Sequence, residues 1–257
     1  MEPMNNAYTE TAAAQRYDSA RSLPSETKSV WLEAVRSAIP DGAIKRVLDL
    51  GCGTGRFTSA LSETFGCPAV GIEPSRAMLD VASAGGDANV QWKQGDAGNI
   101  PLEDHSVDLV FMSQVFHHLS DPERALDEIN RVLTPGGYLA IRNGTREHNP
   151  ELHWLRFFPE AWKIEDARTP FAREIEAAVT SQHFVLMSHR TIQQIFAASY
   201  AEYFEKISRR GLSALIAISD KEFHEGCEDF KHWIDQQPQD AAVYEPVDLF
   251  IFKDANR

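Results

Sequence analysis

Three glycines at alternate positions, Gly51, Gly53 and Gly55, stand in the segment GCGTGRF between a short apolar run and a helical one. At a strand-to-helix turn such residues permit positive φ and let backbone N–H groups approach a ligand closely. A dinucleotide, a nucleoside triphosphate and a sulfonium nucleoside could each use this loop. No Gly-Lys-Ser/Thr follows it, so phosphate cradling of the P-loop kind is excluded. Arg56 stands where the dinucleotide fingerprint carries its third glycine, a position of close helix–strand packing. Glu73, about 20 residues further on, is suited to accept both hydroxyls of a ribose, whether of NAD or of S-adenosylmethionine. Asp96, in QGDAGNIP, can accept from an adenine amino group while the backbone N–H of Ala97 donates to the ring. An Asp in such a segment also serves as a turn former.

His117 and His118, in SQVFHHL, are the candidates to take up a proton, because histidine titrates near neutrality. The competing role for either is to cap or pack the helix that follows. His148, His153, His183 and His189 have no HExxH or CxxC partner and are expected to be scattered over the surface. The three cysteines, Cys52, Cys67 and Cys227, are scattered and odd in number. They suit a reducing compartment and give neither a disulfide framework nor a zinc knuckle.

The elements that carry these residues follow from the apolar pattern. Trp31 (or Val30), Val35 and Ile39 give a first helix with Ser25 as its N-cap, ended by PDG at 40–42. IKRVLDL, PAVGIEP, VQWKQGD, SVDLVFMS and YLAIRN then read as five strands. Helices separate them: one through Phe57, Leu61 and Phe65 closed by Gly66, one from Ser75, and one capped by Asp121 with Pro122 at its first position. TPGG ends the last of these. Strands alternating with helices predict a parallel, doubly wound sheet.

Beyond Asn143 the alternation is lost. FVLMSHRTIQQIF reads as a sixth strand, 198–218 and 220–237 as helical, and VDLFIFK as a final strand. Trp154, Phe157, Phe158, Trp162, Tyr200, Tyr203 and Phe204 either line an apolar pocket or form the core of an added helical layer. Arg209 and Arg210 read as a solvated pair.

A net charge of −13 argues against a nucleic-acid partner, which requires a positive surface. With 43% hydrophobic residues the chain can bury a sizeable core. No apolar run approaches the roughly 20 residues needed to span a bilayer. MEPMNNAYTE has neither the basic nor the apolar region of a secretory signal. The expectation is a cytoplasmic protein without a membrane partner.

VLDLGCGTGRF, GIEPSRAML, QGDAGNIPL, SVDLVFMSQVFHHL and ALDEINRVLTPGGYLAI, in this order, resemble the class I S-adenosylmethionine-dependent methyltransferases, closest to the group acting on small molecules (methyltransferase type 11-like). The resemblance covers about residues 44 to 143. It implies a Rossmann-like α/β fold with a seven-stranded sheet, mostly parallel with an antiparallel last strand, helices on both faces and a helical insertion in the C-terminal third. One overall domain would comprise an N-terminal helical lid (1–42), the cofactor-binding core (43–145) and a segment completing the sheet on the substrate side (146–257). It further implies that Asp49 and the loop Gly51, Cys52, Gly53 and Gly55 hold the methionine part of S-adenosylmethionine. Glu73 with Pro74 would hold the ribose, Asp96 with Ala97 the adenine, and Gln114 would lie near the methionine moiety. Tyr17 and Arg21 in RYDSAR resemble lid residues that reach the cofactor's carboxylate.

The activity implied is transfer of a methyl group to a small-molecule acceptor without a metal. Ser113, Gln114 and Val115 stand where a metal-dependent catechol-type enzyme wants acids, and no Asp/Asn-Pro-Pro-aromatic block is present. The alternatives are an NAD(P)-dependent oxidoreductase and a non-catalytic protein that binds S-adenosylmethionine. Acceptor atom and oligomeric state are not encoded in any motif.

Overall fold

The computed structural model describes residues 24–255. Seven strands form one sheet in the order β3-β2-β1-β4-β5-β7-β6. They are β1 (Val47–Leu50), β2 (Ala69–Glu73), β3 (Val90–Gln94), β4 (Val107–Ser113), β5 (Leu133–Asn143), β6 (Phe184–Ala197) and β7 (Val243–Asp254). β1 to β5 pair in parallel, and β7 runs antiparallel to both β5 and β6. The Rossmann-like α/β expectation and its antiparallel last strand hold.

Helices α1 (Ser25–Ser37) and α2 (Thr58–Phe65) cover one face of the sheet, with Trp31, Val35 and Leu61 buried against Val47, Leu109 and Phe111. Helices α3 (Arg76–Ser83), α4 (Pro122–Val132), α5 (Pro159–Arg168) and α6 (Ala172–Thr180) follow in the chain. α4 and α6 cover the opposite face through Leu126, Ile129, Ile175 and Val179. The caps are local chemistry. Ser75 accepts from the Met78 N–H, Asp121 accepts from the Arg124 N–H, and Gly66 closes α2 in the left-handed conformation.

Several sequence expectations need correction. α1 already includes Ser25, and Pro24 occupies the cap position. Trp31, not Val30, is the inward residue, since Val30 is 51% exposed. TPGG belongs to β5, which begins at Leu133 and passes through Gly136 at φ 76°. The stretch 198–218 divides into α7 (Tyr200–Ser208) and α8 (Ser213–Ala217), followed by α9 (Asp220–Ile234). Tyr17 and Arg21 lie outside the described residues.

The aromatic residues after β5 form a third core rather than a pocket lining. Trp154, Phe158 and Tyr203 are buried with Phe230 and Phe196, and Phe157, Trp162, Tyr200 and Phe204 pack around them. Arg210 is not a solvated residue: it pairs with Asp220 and donates to the carbonyls of Leu215 and Ile218, closing the α8 turn. Gly226 lets α9 approach closely, because a Cβ there would lie 2.5 Å from the Phe157 carbonyl oxygen and from the Phe158 ring. Gly226→Ala is therefore expected to cost about 1–3 kcal/mol in urea unfolding, overpacking outweighing the helical gain of alanine. An unchanged midpoint would contradict this contact. Among the described residues no helix is long and apolar enough to cross a membrane.

Candidate active site

The carboxyl ends of β1, β2 and β4 open onto a cavity of about 550 Å³. This is where open α/β sheets bind ligands, at the point where strand order reverses. Of the residues expected from sequence, Gly51, Gly53, Glu73, Pro74, Asp96, Ala97, Gln114 and His118 line it. Asp49 and Cys52 line a small side chamber that also touches Gly51, Gly53, Arg56, Phe57 and Ser113. Gly55 and His117 line neither.

The glycine loop is shaped by two close approaches. Gly51, at φ 71°, faces Val115, whose Cγ2 would sit 2.5 Å from an added Cβ; Gly55, at φ 78°, faces the Trp92 ring at 2.6 Å. Glu73 organises the loop from the tip of β2. Its Oε2 accepts from the Gly53 N–H (3.1 Å) and its Oε1 from the Ser75 N–H (3.0 Å). Each oxygen retains a second lone pair for a ligand hydroxyl. Burial raises the Glu73 carboxyl above its usual range, against the lowering effect of the Ser75 and Gly53 N–H groups.

Asp49 lies on the α1/α2 face and is fully buried. Burial pushes its carboxyl up to about 7, although the Thr58 hydroxyl donates to it at 2.6 Å. Burial likewise pushes the adjacent Cys52 thiol far up, so it is an inert neutral group. Asp96 stands two residues beyond the end of β3. Its Oδ1 accepts from the Gly98 N–H (2.8 Å), a turn-forming bond that coexists with its position on the cavity wall. Gln114 adopts φ 59° and ties two loops together: its N–H donates to Arg142 O (2.7 Å) and its Oε1 accepts from the Gly144 N–H (3.1 Å).

The two histidines differ in their settings. His118 is exposed and lines the cavity, while the half-buried His117 ring lies 4.1 Å from it, centroid to centroid. His117 Nδ1 is 3.2 Å from Asn143 Oδ1. The Asn143 amide nitrogen donates to Gly144 O at 2.7 Å, which fixes its oxygen toward the ring. His117 therefore donates from Nδ1 and, when neutral, carries its lone pair on Nε2.

His148, half-buried, and His189, exposed, are not scattered as expected. Both converge on the buried carboxylate of Asp248, at 3.3 and 3.1 Å, and Thr145 and Thr191 donate to the same group. His148 also reaches Glu151 at 2.8 Å. The Asp248 hydrogen bond, outweighing desolvation and helped by Glu151, raises the His148 imidazole to about 9. Asp248 is the register partner of Asn143, so this cluster adjoins the His117 support.

Sequence reasoning overlooked Ser75, Met78, Leu119 and Arg124, all on the cavity wall. Ser75 read only as the start of a helix; it caps that helix and also stands on the cavity wall. Arg124, whose Nε donates to Gly98 O at 2.7 Å, carries no local signal beyond its place in the first turn of α4.

Comparison with known proteins agrees with this geometry. Residues 48–141 match the family model described as a methyltransferase domain. An uncharacterized methyltransferase of Mycobacterium tuberculosis (strain ATCC 25618 / H37Rv) is 44% identical over 124 residues, 48% of this chain and 49% of the relative. The chain thus spans about half the length of the first curated relatives it matches. A demethylmenaquinone methyltransferase of Lactobacillus johnsonii is 30% identical over 209 residues, covering 76% of this chain and 81% of the relative. The fold is shared with a solved Haemonchus contortus phospholethanolamine N-methyltransferase 2 in complex with phosphomonomethylethanolamine and S-adenosylhomocysteine. There the TM-score is 0.65 at 19% identity, covering 98% of this chain and 59% of the other. With the glycine loop, the acid at the tip of β2 and the relatives all in agreement, the chain belongs to the class I S-adenosylmethionine-dependent methyltransferase family.

Proposed function

We propose that this protein transfers the methyl group of S-adenosylmethionine to a small organic acceptor without a metal. The observation that carries the proposal is Glu73, which holds the Gly53 and Ser75 N–H groups at the cavity rim and keeps lone pairs for a ribose diol. The remaining donors and acceptors suit the same ligand. The buried Asp49 carboxylate matches an ammonium, and Asp96 with Ala97 matches an adenine edge. Arg56 in place of a third glycine disfavours a dinucleotide.

The bound cofactor supplies an electrophilic methyl on a positively charged sulfur. The chain's residues contribute alignment in a cavity and, for an O–H or N–H⁺ acceptor, a base. We assign proton removal to the His117/His118 pair. His118 lines the cavity, and the adjacent His117 ring is oriented by its Asn143 contact. The relatives' names span a quinone and a phosphorylated amine, so no acceptor is transferred from them. Calorimetry with S-adenosylhomocysteine and with NADH tests the reading. Tight binding of the first alone is expected; tight binding of NADH alone would replace the proposal with an oxidoreductase.

The raised Asp49 carboxyl gives this binding a pH signature. Ligand ammonium favours the ionised acid, so affinity for S-adenosylhomocysteine should fall between pH 8 and 6, approaching tenfold per unit below about 7. 5′-Methylthioadenosine lacks the ammonium and should show a flatter profile. In the unliganded chain the sign is opposite. Stability conferred by neutral Asp49 is fully present below 3.8 and lost as pH rises through about 7. Parallel profiles for the two ligands would remove Asp49 from the ammonium site.

A further inference from the structure

Ser113 and Arg142 are register partners on adjacent parallel strands, at the carboxyl ends of β4 and β5. Their side chains meet on the α1/α2 face, where the Arg142 guanidinium donates through Nη1 to Ser113 Oγ at 2.9 Å. Arg142 is 3% exposed and lies over the Trp31 ring, 4.5 Å from its centroid, and within 5.5 Å of the Phe57 centroid. A second donation, from Nη2 to Gln194 Oε1, fixes the guanidinium, and Gln194 is itself held by the Trp31 indole N–H at 3.1 Å. Ser113 and Phe57 both line the side chamber together with Asp49 and Arg56.

The direction of the Arg142 bond decides what Ser113 can do. A guanidinium only donates, so Ser113 Oγ accepts from behind and its own proton is left for an acceptor on the other side. The positive charge behind it polarises that hydroxyl and strengthens its donation to an anion. Ser113 lines both the main cavity and the chamber, and the Asp49 carboxylate and Arg56 line the chamber with it. Walls that carry an acid, the Arg56 guanidinium and a polarised donor backed by a second cation offer partners to both charges of an α-amino acid seated in the cavity.

We propose that Ser113, backed by the buried Arg142, donates a hydrogen bond to the carboxylate at the amino-acid end of the cofactor, and that Arg142 is the positioning residue for this contact. The proposal rests on the S-adenosylmethionine reading above. It adds the carboxylate to the ammonium read by Asp49 in setting the preference for a complete amino-acid tail over a truncated nucleoside.

The test compares two probes by calorimetry on the full chain at pH 8, where Asp49 is ionised: S-adenosylhomocysteine, which has the carboxylate, and 5′-methylthioadenosine, which lacks it. Ser113→Ala should weaken the first about tenfold and the second less than twofold, since a charged hydrogen bond is removed for one ligand only. Arg142→Met should show the same selective loss. Should that variant fail to fold, Ser113→Ala alone decides. Unchanged affinity for S-adenosylhomocysteine in Ser113→Ala, or equal losses for both probes, would overturn the assignment, the latter reducing Ser113 to a shape role. Failure of the underlying cofactor reading is distinct: the unmodified chain would then bind neither probe.

Discussion

Glu73→Ala is expected to weaken binding of S-adenosylhomocysteine about 100-fold while leaving the far-UV circular dichroism of the chain unchanged. One carboxylate is asked to serve two ribose hydroxyls, and hydrogen bonds to a charged group contribute about 1.5–3 kcal/mol each. The substitution also releases the Gly53 and Ser75 N–H groups, which now hold the loop and the start of α3 against the rim. Because both probes carry the ribose, 5′-methylthioadenosine must lose affinity to the same extent, in contrast to the selective effect expected at Ser113. Glu73→Gln cannot rescue fully. Its amide would turn a donor toward one of two N–H groups that require an acceptor. Retention of wild-type affinity in a folded Glu73→Ala protein would remove the ribose assignment and, with it, the main support for the proposed activity.

The second large effect concerns stability. Asp248→Ala removes the buried acceptor shared by His148, His189, Thr145 and Thr191. Deleting one member of a buried charged pair costs about 3–5 kcal/mol, so the melting temperature near pH 6 should fall by roughly 10 °C. The pH dependence follows from both partners. Burial alone would raise the Asp248 carboxyl, but the bonds from His148, Thr145, Thr191 and His189 outweigh it and hold it well below the usual carboxylate range. Its contribution is therefore present above 3.8 and lost as pH falls. His148, raised to about 9, contributes fully below 6.5, and that part is lost as pH rises through about 9. The gap between wild type and variant should be widest between about pH 4 and 6.5 and narrow on either side. A gap independent of pH would show that Asp248 acts by shape alone.

The first half of the fold was legible because its signals are local. β1, β2 and β4 are mainly apolar, broken only by Asp49 and Asp108 and by the terminal Glu73 and Ser113, and Ser75, Asp121 and Gly66 punctuate the helices with side chains or backbone conformations that act within a few residues. α5 escaped notice because its inner side is not an apolar stripe. It buries Ala161 together with Glu165, and Glu165 is paired with Arg168 on the same helix. α6 carries no Ser, Thr, Asp or Asn at its N-cap; instead Glu174 reaches back to the Phe171 N–H.

The site divides in the same way. Glycines, Glu73 and Asp96 announce themselves by spacing along consecutive strand ends. Ser113 was noticed only as a residue that is not a metal ligand, because its meaning comes from Arg142 on the neighbouring strand. The Asp248 cluster draws on β6, β7 and the segment after β5, so no window of sequence contains it.

The position of β7 between β5 and β6 has a consequence for how the chain is made. During synthesis β6 leaves the ribosome before the strand that must join it to the sheet. Among the described residues its strand partner is β7, some fifty residues of translation later. Over that interval the nascent polypeptide presents the unpaired margin of β5 and a detached, half-apolar β6. This is the period in which a chaperone would find most to hold and in which a stalled or shortened translation product would be prone to clump.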